Sequence, residues 1–269
     1  MSTAAPRTRP RSSPSPRPRP SPSQVVGEIL LTAGALLLLF AFYEAFWTNL
    51  HSRGLQNDAQ EALEEQWVNR ASTVPELGDA FARMYIPAFG ADYQFAIIEG
   101  VDEEELRAGP GRYPDTQLPG QPGNFAVAGH RVGKGAPFND LGRLRSCDAI
   151  VVETQTHWLT YRVMPMSDDP LERAAEAAPC MPTELAQRVA AGDYAHVAGR
   201  HITLPEDVSV INPMPGLARA EVAEGLAGVM TLTTCHPQFS NAERMIVHAV
   251  YTDVADKSAG PPAAMTEVS

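Results

Sequence analysis

Apolar positions run almost unbroken from Val25 to Trp47, and only Glu28 and Glu44 interrupt them, one near each end. Roughly 20 apolar residues suffice to cross a bilayer as a helix, so 25–47 predicts a single transmembrane helix, with the aromatics Phe42, Tyr43, Phe46 and Trp47 at its far end suited to an interfacial belt. The next periodicity has a different character. Leu55, Ala59, Leu63 and Trp67 recur every four residues, with Glu61, Glu64 and Glu65 on other faces, which predicts an amphipathic helix from Gln56 to about Arg70. That helix, within a stalk or linker over 48–80, either lifts the following body off the membrane or packs on it; a partner-binding helix is the alternative.

From Phe81 the pattern shortens to β-type runs between Gly, Pro and Asp breaks. They are Ala82–Ile86, Tyr93–Ile98, Asn124–Ala128, Ala149–Glu153, His157–Val163, Val208–Ile211, the stretch ending Thr231-Leu232-Thr233-Thr234-Cys235, and Arg244–Val250. About eight strands with few helices predict a mostly β body over 81–256, a barrel or a sandwich. Two segments break the rhythm. Val101–Arg107 carries Asp102, Glu103, Glu104 and Glu105, either a solvated face or a cation-attracting insert. Ser167 to about Gly199 has helical periodicity and reads as an insertion between two strands. Residues 257–269 read as a short, flexible polar tail.

Charge changes the picture at the N-terminus. Residues 1–24 hold seven prolines by position 22 and five arginines (Arg7, Arg9, Arg11, Arg17, Arg19) without an acid, a composition that predicts disorder. Basic residues before an apolar span place the N-terminus in the cytoplasm and the body outside. A cleaved signal peptide would show similar regions, but no clean small-x-small site follows the run, so an uncleaved anchor is expected. With the five tail arginines set aside, 16 bases face 32 acids, a net of −16, which argues against a nucleic-acid surface.

The candidate chemistry centres on Cys235 and Arg244. If the last two runs pair as antiparallel neighbours, the thiol leaves one strand where the guanidinium enters the other. A thiolate nucleophile needs a nearby cation, and a tetrahedral intermediate needs donors for its oxyanion; the plainer alternative is a buried cysteine closing a strand. Among seven histidines, His236 is adjacent to Cys235 and points to the opposite face, and His248 lies about 13 Å along the strand from Arg244 at strand rise. His130 differs, because it leaves the apolar run Phe125–Gly129 and precedes Gly133-Lys134-Gly135. With Cys235 and Arg244 it completes a Cys/His/Arg set. Three cysteines suggest one bridge and one free thiol; Cys147 with Cys180 is the candidate pair, two unpaired thiols the alternative.

Asn124-Phe-Ala-Val-Ala-Gly-His130-Arg, Ala136-Pro-Phe-Asn139, Asp148–Thr154 and Thr231-Leu-Thr-Thr-Cys235 with Arg244 resemble the sortases, in particular class E of high-GC Gram-positive bacteria (actinobacteria). The similarity runs from about Phe81 to Thr252. It implies a closed eight-stranded sortase-type β-barrel behind an N-terminal anchor, and a cysteine transpeptidase needing no cofactor or metal. Cys235 would attack the Thr–Gly carbonyl of an LAXTG- or LPXTG-type signal, Arg244 would stabilise the oxyanion, and His130 would protonate the departing amine. Partners would be surface proteins bearing the sorting signal and an amine of a peptidoglycan precursor such as lipid II. Gly109–Gly120 is similar to a class E signature in which the tyrosine, here Tyr113, is implicated in accepting Ala at the second signal position; Thr233 and Thr234 would shape the pocket beside the thiol or serve only as strand formers. The chain departs from the family pattern at Val132-Gly133-Lys134 and in the length of the 167–199 insertion. Other cell-surface cysteine peptidases or transpeptidases, and a pilin-assembling sortase, are the enzymatic alternatives. A sortase substrate is a weaker one, because the chain ends Ala264–Ser269 rather than in an apolar run and basic tail.

Overall fold

The structure, a computed structural model, describes residues 21–43, 47–69, 74–218 and 221–267. The predicted disordered tail therefore lies almost wholly outside the described residues, as does Phe46. Two compact units divide the chain, residues 1–43 and 44–269.

In the first unit, α1 spans Pro22–Phe42. Ser21 starts it with a reciprocal capping box: the Gln24 N–H donates to the Ser21 hydroxyl, and the Ser21 N–H donates to Gln24 Oε1. Pro22 supplies a first-turn residue that needs no donor. The helix has 21 residues, a mean hydropathy of 2.3 and no buried side chain. At about 1.5 Å per residue it measures roughly 31 Å, the thickness of a bilayer core. Residues 44–46 of the predicted 25–47 span lie outside the described residues.

The second unit opens with α2, Thr48–Asn69, a full two turns earlier than the periodicity predicts. The predicted face is the packed one: Leu63 is fully buried against Ala80, Ala96 and Ile98, with Ala59 and Trp67 beside it. Gln56 explains the added length. It is 6% exposed, accepts the Ala96 N–H and donates to Ala108 O at 2.5 Å, so a helix side chain satisfies a strand amide that would otherwise be orphaned. At the other end, Arg83 reaches Glu64 at 2.8 Å and Glu153 at 3.4 Å. The helix packs on the barrel along its length.

Nine strands among the described residues form the sheet: β1 Ala80–Tyr85, β2 Gln94–Glu99, β3 Gly111–Arg112, β4 Gly123–Ala128, β5 Ala149–Glu153, β6 His157–Val163, β7 Arg200–Thr203, β8 Gly228–His236 and β9 Glu243–Asp256. Their order β6-β5-β1-β2-β3-β4-β8-β9 closes through a β6–β9 pairing, giving an eight-stranded barrel. The long β9 makes this possible: Ala249–Asp256 pairs with β6, while Arg244–Val247 pairs with β7, which flanks the ring. Phe125, Val127, Tyr161, Leu232 and Val247 fill the interior.

Val208–Ile211, expected to be a strand, is a 3-10 turn. Asp207 accepts the Ser209 N–H, and Pro205, Pro213 and Pro215 bracket the segment. Its carbonyls face the outer side of β4: the Asn124 amide donates to Val210 O at 3.1 Å and Asn212 O at 3.0 Å. Asn124 Oδ1 also lies 2.8 Å from the Thr231 hydroxyl, which is 2.9 Å from His248 Nδ1. Replacing Asn124 by Leu leaves those carbonyls and the hydroxyl short of a buried partner, and a loss of about 2–4 kcal/mol is expected, read as a lower denaturant midpoint. An unchanged midpoint would show that the segment is held by other contacts.

The insertion is helical, with α4 Pro170–Ala177 and α5 Thr183–Ala191. Asp169 caps α4, accepting from Leu171 and Glu172, and Pro170 occupies the first turn. Its core joins Met164, Val189 and Tyr194 to Val229 and Val250. Cys147 and Cys180 are bonded, with Cα atoms 5.7 Å apart, tying the insertion to the turn before β5. The expected flexible tail is a correction: Ala264 packs in a buried cluster with Ala149, Val151 and Trp158, and Glu267 pairs with Arg162. Its polar composition hid one small apolar anchor and one ion pair.

Candidate active site

β8 carries residues of alternating direction. Met230 and Leu232 face the interior, so Thr231, Thr233 and Cys235 line the outer face. β4 runs parallel to β8 up to the pair Ala128↔Thr233. The Gly129 N–H then donates to Thr233 O at 3.0 Å and the Thr234 hydroxyl donates to Gly129 O at 2.7 Å. Two steps past Ala128 is His130, and two steps past Thr233 is Cys235. On the other side, β9 is antiparallel and pairs Arg244 with Cys235. Neighbouring strands lie about 4.8 Å apart, so three strands bring His130, Cys235 and Arg244 abreast at one rim.

Gly129 is required by this arrangement, since a Cβ there would meet the Phe138 ring at 2.5 Å. Phe138 is fully buried and its N–H donates to His130 O at 3.0 Å, so the residue before the histidine stays small for the loop after it to fold back.

Cys235 is the one free cysteine and is partly exposed. His130 is half-buried, and its Nε2 has no hydrogen-bond partner among the described residues. Burial pulls the His130 pKa below its ordinary value, with Lys134 and Arg107 adding to the fall and Glu103 opposing it. Arg244 Nη1 donates to Asn241 O at 3.0 Å and Glu243 O at 2.9 Å, which orients the guanidinium against the β8–β9 turn. Tyr113, reaching over from the segment after β3, places its hydroxyl 3.1 Å from the Thr233 hydroxyl, within two residues of the thiol. Thr234 points the other way and braces the β4–β8 junction.

One residue of this rim has no role in the sequence reading. Arg131 Nη1 lies 3.3 Å from Cys235 O and 2.7 Å from His236 Nδ1, clamping the cysteine's own carbonyl from behind. Strand alternation is the signal that could have found it: if His130 faces the site, Arg131 faces the opposite side, where His236 also points. His248 is confirmed as remote from the thiol. It is buried beside Thr231, stacks on His201 at 5.5 Å and has its pKa pushed down to about 3 by burial and the neighbouring His201.

Residues 84–252 match the family described as Sortase domain. Over 252 residues the chain is 31% identical to sortase SrtE1 of Streptomyces coelicolor, covering 90% of this chain and 61% of that protein, so it spans about three fifths of that relative's length. Among solved structures, the SrtF sortase from Corynebacterium diphtheriae is 60% identical with a TM-score of 0.71, covering 74% of this chain and 97% of the other. Sortase E from Streptomyces avermitilis is 33% identical with a TM-score of 0.51, covering 71% and 99%.

Proposed function

The chain belongs to the sortase family, and from that premise we propose that it is a membrane-anchored cysteine transpeptidase that cleaves an LAXTG- or LPXTG-type signal between Thr and Gly and passes the threonyl group to a cell-wall amine. The observation that carries this reading is the alignment of β4, β8 and β9 that sets His130 and Arg244 on either side of a free thiol.

The Cys235 thiolate attacks the threonine carbonyl carbon, and negative charge moves to the carbonyl oxygen. Arg244 and a backbone N–H near Cys235 supply donors for that oxyanion. His130 gives its proton to the glycine nitrogen as the C–N bond breaks, leaving a thioester on Cys235. An amine of a peptidoglycan precursor such as lipid II then attacks the thioester. Its proton passes to His130, an amide forms and the thiolate returns. Tyr113 and Thr233, hydrogen-bonded to each other, shape the pocket beside the thiol where the second signal residue sits.

Burial of His130 weakens its hold on a proton, so the acid form the first step needs is the minor one at neutral pH. The Cys147–Cys180 bond leaves Cys235 without an intramolecular partner in an oxidising compartment. The apolar α1 and the five arginines before it support a single-pass arrangement with the N-terminus cytoplasmic and the barrel extracellular.

The test incubates the full chain in detergent with LAXTG and LPXTG peptides side by side and an amine acceptor. Products with the acceptor joined to threonine are expected, with the Ala-containing peptide turned over faster if Tyr113 sets the second position. Cleavage at another bond, or no joined product from either peptide, would overturn the reading.

A further inference from the structure

The acidic stretch Val101–Arg107 has no part in the chemistry above, yet it sits against the loop that carries His130. It contains α3, Glu103–Ala108. Glu103 pairs with Lys134, four residues after His130, and with Arg107 at 3.3 Å. The loop it touches is unusual: Gly133, Lys134, Gly135 and Ala136 have φ values of 64°, 50°, 80° and 41°. Glycine adopts this left-handed region freely, whereas Lys134 and Ala136 do so at a cost of roughly 1–2 kcal/mol each, so neighbouring contacts must hold the loop. Inside the loop, the Ala136 N–H donates to Gly133 O at 2.8 Å. Outside it, Asn49 of α2 accepts the Gly135 N–H at 3.0 Å, and Glu103 holds Lys134.

We propose that Glu103, Lys134 and Asn49 are positioning residues for His130, with the Glu103–Lys134 ion pair setting both the place of the imidazole and its charge environment. The inference rests on the reading of His130 as the proton donor. The charged and titratable groups facing that ring come from every neighbouring element. Its own loop brings Lys134, α3 brings Glu103 and Arg107, and the β8–β9 rim brings Cys235 and Arg244, while Arg131, His236 and Glu243 turn to the opposite side, where Arg131 meets the His236 ring and Glu243 lies 3.9 Å from it. From α2, Arg53 lines with Lys134 a cavity of about 470 Å³. Lys134 and Arg107 disfavour the protonated ring, and Glu103 favours it. Glu103 is 58% exposed and Lys134 29%, so water screens the pair, breaking it costs the fold little and its effect falls on the histidine.

Glu103→Gln removes the favourable charge and frees Lys134, so the histidine limb of the kcat/KM–pH profile moves to lower pH by about half a unit. Lys134→Gln removes an unfavourable charge and frees Glu103, so that limb moves to higher pH by a similar amount. Both variants break the same ion pair, and a purely structural role would move both alike. The swapped pair, E103K with K134E, restores kcat and the limb toward wild type, and the single-variant shifts shrink at high salt. Asn49→Ala lowers kcat several-fold at unchanged KM and leaves the limb in place. The experiment uses the full chain in detergent, with His130→Gln run in parallel. Opposed limb shifts with rescue by the swap support the inference. Shifts in one direction, or wild-type profiles from both single variants while His130→Gln is inactive, overturn it and leave the transpeptidase reading standing. Full activity in His130→Gln would instead sink the role of the histidine and the inference with it.

Discussion

Cys235→Ala is expected to reduce peptide transfer by about a millionfold, to the background level, because removing the nucleophile removes both chemical steps at once. The fold should not register the change. Cys235 is partly exposed at the end of β8, so deleting its sulfur opens no core cavity. The contacts that hold this rim go through main-chain atoms: Arg131 reaches Cys235 O, and the β8–β9 register is a backbone ladder. Unfolding midpoints of the variant and the wild type should coincide, and circular dichroism with a steady-state transfer assay reads both quantities. Transfer that survives the substitution would mean the thiol is a bystander.

The second large effect is structural. Arg173 is 2% exposed and donates to Val189 O twice, at 2.9 and 2.6 Å, as well as to Pro165, Ser167, Tyr194 and Val197 carbonyls. One guanidinium therefore holds both insertion helices and the turn that leads to them. Arg173→Met keeps the volume but strands five carbonyls, four of them buried, and a loss of about 3–5 kcal/mol is expected within the insertion. Hydrogen exchange should show α4 and α5 losing protection while β4 and β8 keep theirs. The Cys147–Cys180 bond limits how far the helices separate. Since the insertion core meets β8 at Val229, six residues and about 20 Å of strand from Cys235, catalytic constants should change little. Retained protection in α4 and α5 would show that helix–helix packing, not Arg173, carries the insertion.

How much of this was legible in the sequence depends on what each element needs from the rest of the chain. β5, β6 and the β8–β9 hairpin carry their own apolar pattern, and they form where the pattern predicts. β3 and β7 do not: Gly111-Arg112 becomes a strand because it bridges β2 and β4, and Arg200–Thr203 because β9 pairs with it. Val208–Ile211 fails in the opposite direction. Its β-branched residues suggest a strand, and Asn124, more than eighty residues away, draws its carbonyls into a turn.

For the site, Cys235 and Arg244 face each other within one hairpin, so local pairing was enough to join them. His130 stood out locally as a histidine leaving an apolar run before a Gly-rich segment, but its place beside Cys235 required the parallel register of β4 with β8, a contact between residues about a hundred positions apart. Arg131 and Glu103 were hidden for a related reason. Each acts through a contact, to Cys235 O and to Lys134, that no periodicity encodes.

The central claim is that Cys235 becomes covalently linked to the threonine of the sorting signal. Intact-mass measurement of the full chain, quenched with acid during turnover of an LAXTG or LPXTG peptide without an amine acceptor, tests it most directly. The expected result is a mass increase equal to the peptide acid ending in its threonine less one water, mapped to Cys235 and discharged when an amine is added. A peptide cleaved between Thr and Gly with no adduct at Cys235, or an adduct that persists in Cys235→Ala, would contradict it.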